Sequence, residues 1–255
     1  MEFTLENYNF QKAMQQLINE DINPILVLNK FKKYKKNAFV REMDNIVQFI
    51  SFSVRKYDLR VYAFILPIFV PTDSVYNYGI ELTGTDGMDL LSGKYFTTFC
   101  EVEDNIEVQF YKYQNKHKPN FCKLVRNLEE GVLPEMDRIN SLDKLIFTIE
   151  NDNEKLFGRR YGKGRHICDF DFYIAAVYKC LCGEYCEGKK NLLQVKYDYE
   201  KSGVLEEYEV SRNEYRNIEC LLSALAEIND ETEKNFRFQY NRICDERRKK
   251  YKLIK

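Results

Sequence analysis

The sequence predicts an α+β fold: an antiparallel sheet meander with N-terminal helices, followed by a C-terminal helical array. Three observations carry this. Apolar residues recur at helical spacing before about residue 31. They alternate, with Val, Ile, Phe, Tyr and Thr enriched, between about Ala38 and Lys112. After about residue 115 the helical spacing returns and persists.

The elements follow in order. Phe10, Met14, Leu17 and Ile18 mark a first helix. Asn23-Pro24 reads as an N-cap followed by proline at the first helical position. A short second helix would carry Ile25, Leu28 and Phe31 and run into the lysines of 30–36. Ile46, Ile50, Phe52 and Val54 share a strand face on which Gln48 is the polar exception. Leu59, Val61, Ala63 and Ile65 share the next, which is apolar on both faces near Phe64-Ile65-Leu66 and so reads as a central strand. Tyr76 to Leu82, Lys94 to Cys100 and Ile106 to Lys112 are the remaining strand candidates, with a turn at Gly84-Thr85-Asp86-Gly87.

In the second half, Phe121, Leu124, Val125 and Leu128 form one stripe. Leu142, Leu145, Ile146 and Ile149 form another. A polar loop spans about 151–166. The next helix carries Tyr173, Val177, Cys180 and Leu181 on one face, and Gly188 reads as closing the turn after it. Leu192, Val195 and Tyr199 suit a partner helix ended by Ser202-Gly203. Ser211-Arg212-Asn213-Glu214 reads as a capping box opening a helix with Ile218, Leu221, Leu222, Leu225 and Ile228. Phe236, Tyr240 and Ile243 mark the last helix. No repeat of fixed period stands out. The organisation expected is a sheet domain over 1–115 and a helical region over 116–255, either packed on the sheet or forming a subdomain.

Composition narrows the function classes. With 44% hydrophobic and 31% charged residues, the chain of 255 residues can bury a core and is not a disordered one. The net charge of -1 lacks the basic excess of a protein that coats nucleic acid. No apolar run is long enough for a membrane helix, and Met1 to Glu6 does not read as a secretory signal. The eight cysteines then read as reduced thiols in a cytoplasmic protein.

Four constellations invite chemistry. Gly158 to His166 combines glycines that let backbone approach an anion with the cations Arg159, Arg160, Lys163 and Arg165 and with His166. It reads as a phosphate- or RNA-backbone-binding loop, or as a solvated loop; it lacks the Walker spacing. His166, Cys168, Cys180, Cys182 and Cys186 hold potential zinc donors, but Cys180 and Cys182 diverge on a helix, so buried thiols are the expectation and no metal. His117 and His166, the two histidines, sit in no catalytic motif, and acidic pairs such as Glu101/Glu103 and Glu129/Glu130 read as solvated surface. No catalytic residue and no cofactor is expected. Finally, Lys30 to Lys36, interleaved with Phe31 and Tyr34, and the tail Arg247 to Lys255 form two basic patches that suit nucleic acid or simply charge helix ends.

The elements Lys30-Phe31-Lys32-Lys33, Phe39-Val40-Arg41, Val47 to Arg55 and Gly79-Ile80-Glu81-Leu82 resemble those of a bacterial family, domain of unknown function family 4304. The likeness covers about residues 20–85. It implies a bacterial α+β protein encoded beside toxin or defence genes, and the family brings no established activity to carry over.

The function expected is therefore a non-catalytic, immunity-like binding protein that engages a partner protein. The 19 tyrosines fit this, since tyrosine brings apolar area with one polar tip to an interface. Nucleic-acid or nucleotide binding through the 158–166 loop is the alternative, and a hydrolase with unfamiliar motifs a third.

Overall fold

A computed structural model describes residues 3–54, 59–70, 80–81, 107, 110–111, 113–151, 169–207 and 209–254. The fold is α+β. The chain divides into two compact units, Met1–Ile65 with Ile80–Lys144, and Leu66–Gly79 with Leu145–Lys255.

The first unit opens with helix α1, Phe10–Leu17, whose N-cap Asn9 accepts a hydrogen bond from the Lys12 amide at 3.0 Å. Helix α2, Asn23–Leu28, does not start afresh at Asn23. A π turn over Ile18–Ile22 carries the helix through, and Asn23 is itself right-handed helical, donating its amide to the Ile18 carbonyl. The reason is Pro24. In a regular helix its ring would meet the carbonyl four residues back and its missing N–H would leave that carbonyl unpaired; the wider turn relieves both.

The device recurs. Helix α3, Lys118–Asn127, and helix α4, Leu133–Arg138, each carry proline at the second position. Each follows a π turn, Tyr113–His117 and Leu128–Val132 respectively. The Leu133 amide donates to the Leu128 carbonyl just as Asn23 does to Ile18. Ile18, Ile22 and Leu26 in one copy and Leu128, Val132 and Met136 in the other are all buried. The two segments thus share a design that the sequence betrays only by a proline and three apolar positions.

Five strands follow in the sheet order β1 (Lys32–Lys35), β2 (Ala38–Met43), β3 (Ile46–Val54), β4 (Leu59–Pro67) and β5 (Ile80–Glu81). The pairs β1–β2, β2–β3 and β4–β5 are antiparallel, so the meander stands. Asp44 and Asn45 both take positive φ, 36° and 63°, between the paired residues Met43 and Ile46. That two-residue hairpin matches the right-handed twist of the strands. The Asp44 carbonyl also accepts from the amide of Leu142, the first residue of helix α5, Leu142–Asn151.

Two strand expectations change. Lys32–Lys35 is a strand, not the tail of a helix, because α2 stops in a Schellman turn: the Phe31 amide bonds the Leu26 carbonyl and the Lys30 amide bonds that of Val27. Glu107, Phe110 and Tyr111 are helical, not part of a strand over 106–112. Ile106 and Phe110, read as one face of a strand, are equally one turn apart on a helix, and Phe110 packs edge-on to Tyr8 with ring centroids 5.5 Å apart. The candidates at 94–100 and 76–79, and the turn at 84–87, lie outside the described residues.

At the centre of this unit is a buried polar pair. Arg41 and Gln48 face each other across β2 and β3. Arg41 is 6% exposed and Gln48 fully buried. The Arg41 guanidinium donates to Gln48 Oε1 at 2.5 Å, to the Asn29 carbonyl at 3.0 Å and to Asp137 Oδ1 at 2.5 Å. The Phe31 ring lies 4.6 Å beneath it. Gln48 Nε2 donates to the carbonyls of Met136 and Ile139, at 2.6 and 2.9 Å. Two strand side chains thereby satisfy the orphan C-terminal carbonyls of α2 and α4, where donors also suit the helix dipole.

The second unit contains helices α6 (Asp169–Leu181), α7 (Tyr185–Ser202), α8 (Val204–Glu207), α9 (Glu209–Ala224) and α10 (Thr232–Lys250). Gly183, with φ of 87°, closes the turn between α6 and α7. Gly188 does not; it lies inside α7, where an added Cβ would sit 2.2 Å from Cys180 Sγ and 2.9 Å from the Ala176 carbonyl. It is the contact that lets α6 and α7 approach. Ser211 is likewise within α9, not at its start. Glu214, expected to complete a capping box, is buried and accepts a hydrogen bond from the Tyr199 hydroxyl instead. Phe69 joins an aromatic cluster with Tyr173 and Tyr240 at 5.9 and 5.7 Å, extended by Phe236 and Tyr185.

Replacing Gln48 by Leu leaves two helix-terminal carbonyls and one guanidinium N–H buried without partners. Urea unfolding of that variant, followed by circular dichroism, should show the first unit losing about 3 kcal/mol of stability. A second expectation concerns pH. Burial pushes the Cys180 thiol up to about 12 from an ordinary 9.0. Burial also raises the phenols of Tyr173 and Tyr240, helped by Glu214 and Cys244 respectively. Above pH 9 the unfolded chain loses protons that the folded one retains, so the second unit's stability is whole below that pH and declines toward 12. Unfolding midpoints across this range should fall, and Cys180→Ala should fall less steeply.

Candidate functional site

The site begins with the corner that ends α2. Lys30 takes the left-handed conformation, φ 66°, that the Schellman turn requires, a position where glycine is usual. Its flanking residue Phe31 is buried under Arg41, and Arg41 in turn grips the Asn29 carbonyl. The corner is therefore fixed from inside, and it delivers the chain directly into β1.

Strand β1 is the outermost strand of the sheet, and among the described residues nothing pairs with its far edge. Lys32, Lys33 and Lys35 on the strand are exposed, as are Lys30 and Lys36 at its ends. Residues 22–41 contain no acidic side chain. Lys30, Lys33, Lys35 and Lys36 form no ion pair among the described residues; the Lys35 ammonium lies 5.1 Å over the Tyr34 ring. Tyr34 packs edge-on to Phe49 at 6.3 Å and anchors the strand to the sheet, with the pairing register shifting between Lys33 and Lys35. Immediately before the corner, Val27 and Leu28 are 57% and 84% exposed. A strand edge, four ammonium groups without an ion pair among the described residues and two exposed apolar side chains thus occupy one short segment.

The other sequence-predicted positions distribute differently. Arg159, Arg160, Lys163, Arg165 and His166 lie outside the described residues, as do Cys100, Cys168, Glu101 and Glu103. Cys180 and Cys244 are buried, in line with the expectation for the thiols. Cys122, Cys182 and Cys186 are exposed, against it, because each sits on the solvent side of its helix or turn. Among the described residues no three His, Cys, Asp or Glu side chains are grouped to hold a metal ion. His117 is buried against the Phe10 ring, 5.2 Å between centroids. Glu129 and Glu130 are exposed on a π turn. In the basic tail, Arg248 pairs with Asp245 at 2.8 Å. Among the described residues no helix is long and apolar enough to cross a membrane.

Comparison with models of protein families, with curated proteins and with solved structures finds no match to this chain.

Glycine at position 30 removes the Cβ strain of the left-handed turn at the cost of a freer unfolded chain. Lys30→Gly should therefore raise the unfolding free energy by about 0.5–1 kcal/mol, measured by urea denaturation.

Proposed function

We propose that this chain is a non-catalytic binding protein, of the immunity or accessory kind, that engages an acidic partner protein through the β1 edge. The observation that carries the reading is a strand edge whose lysines 30, 33, 35 and 36 form no ion pair among the described residues, beside exposed Val27 and Leu28. An open edge offers backbone donors and acceptors, which an extended peptide complements and a phosphodiester chain does not. Val27 and Leu28 ask for apolar neighbours, again a property of protein. Lysines on both sides of the strand repel a second copy of the same edge, as sheet proteins commonly arrange, so the complementary strand is acidic.

The resemblance of residues 20–85 to domain of unknown function family 4304 forms part of this proposal. Its Lys30-Phe31-Lys32-Lys33 element is the corner and strand that would meet the partner. Nucleic-acid binding through Arg159, Arg160, Lys163 and Arg165 is the competing reading and rests on sequence alone.

The test uses an extended peptide of alternating Glu and Val as probe, titrated by fluorescence anisotropy into the full chain. Lys33→Glu with Lys35→Glu should weaken binding by about tenfold or more, and added salt should weaken it in the parent. A variant that binds the peptide as well as the parent, or a parent that prefers single-stranded RNA, would sink the reading.

A further inference from the structure

A second cationic feature lies in the helical unit, between α9 and α10. Arg216, Arg242 and Arg247 converge there on a groove of about 710 Å³. Asn213, Asn217, Cys220 and Ser223 line the α9 wall, and Glu219 and Glu246 complete it.

The charges do not balance within the groove. Glu219 is held by Lys196 at 3.0 Å, which leaves Glu246 as the carboxylate facing three guanidinium groups. None of the three arginines forms an ion pair among the described residues. Arg216 makes one long hydrogen bond, 3.3 Å to Asn213 Oδ1. Arg247 Nε is buried and has no hydrogen-bond partner. Glu214, whose charge reaches the same Tyr173 phenol as that of Arg247, is hydrogen-bonded by Tyr199 and forms no ion pair with Arg247. A guanidinium partly removed from water without an ion pair is a costly arrangement, and an anion in the groove would offset it. The planar fork of arginine matches oxyanions in a bidentate manner, and three forks across one groove suit a ligand with more than one such group. Asn213, Asn217 and Ser223 supply neutral donors and acceptors for the rest of a small molecule, and the volume falls in the range of small-ligand sites.

We propose that the groove formed by Arg216, Arg242 and Arg247 binds a small ligand bearing phosphoryl groups. This goes beyond the edge-binding reading and does not depend on it. The ligand is held by charge and hydrogen bonding alone, and no bond is made or broken.

Isothermal titration of the full chain tests the site, with orthophosphate, pyrophosphate, adenosine triphosphate and citrate as probes. Pyrophosphate or the nucleotide should bind saturably and more tightly than orthophosphate or citrate, with affinity falling as salt rises. The source is read from the arms: preference for the nucleotide points to a nucleoside phosphate, equality with pyrophosphate to the phosphoryl groups alone. Arg216 and Arg242 are exposed, so Arg216→Gln with Arg242→Gln should keep the helical circular dichroism signal and weaken binding by about tenfold or more. Arg247→Lys keeps the charge but loses the fork and should also weaken it. The Lys33→Glu, Lys35→Glu edge variant should bind these probes as the parent does, which separates failure here from failure of the edge reading. The assignment is overturned if neither pyrophosphate nor the nucleotide binds saturably, if citrate binds as tightly, or if the double glutamine variant binds unchanged.

Discussion

The buried side-chain amide of Gln48 is the constraint on which the sheet unit turns. An amide removed from water needs its oxygen and its N–H groups bonded, and here Arg41 supplies the donor while Met136 and Ile139 supply acceptors. Satisfying one glutamine therefore fixes where α4 ends against β3. Satisfying its partner arginine fixes where α2 ends against β2. The corner at Lys30 follows the Asn29 carbonyl by a single residue, so the placement of β1 is a consequence of the same network. A polar requirement in the core sets the position of a cationic edge at the surface.

That dependence bears on two short elements of the sequence. Phe39-Val40-Arg41 combines a core phenylalanine with the arginine that binds the helix end, and Lys30-Phe31 combines the left-handed corner with the ring beneath that guanidinium. These residue types are accounted for by packing and hydrogen bonding. Four neighbouring lysines that form no ion pair among the described residues are not accounted for in this way.

Much of the fold was legible. Alternation located β3 and β4, and helical spacing located α1, α3, α6, α7, α9 and α10, because each buries one face or two against a core. What escaped depends on relations the local sequence does not express. Asn23-Pro24 has the chemistry of a helix start, yet the π turn before it removes the clash that makes proline a helix breaker. Lys32–Lys35 has weak strand propensity, and its pairing with β2 decides the matter. Gln48 showed as a polar exception on an apolar face, which was a usable signal of a buried network, although its partners lie far along the chain. Arg216, Arg242 and Arg247 share a groove because α9 and α10 pack together, and no spacing within either helix announces it. The near-neutral net charge hid both cationic surfaces, since a sum over 39 basic and 40 acidic side chains says nothing of where they gather.

The three π turns among the described residues carry an implication for how such a chain tolerates change in length. Each inserts one residue beyond the α-helical repeat, and each is matched to a proline two positions past its end. Deleting a residue from 18–22 would tighten the helix to its ordinary pitch, bring Pro24 against the carbonyl it now clears, and swing everything upstream of the turn by about a quarter turn. Gain or loss of the extra residue and gain or loss of the proline are thus coupled events. Among descendants of this fold, gaps at these turns should travel together with the imino acid rather than appear alone.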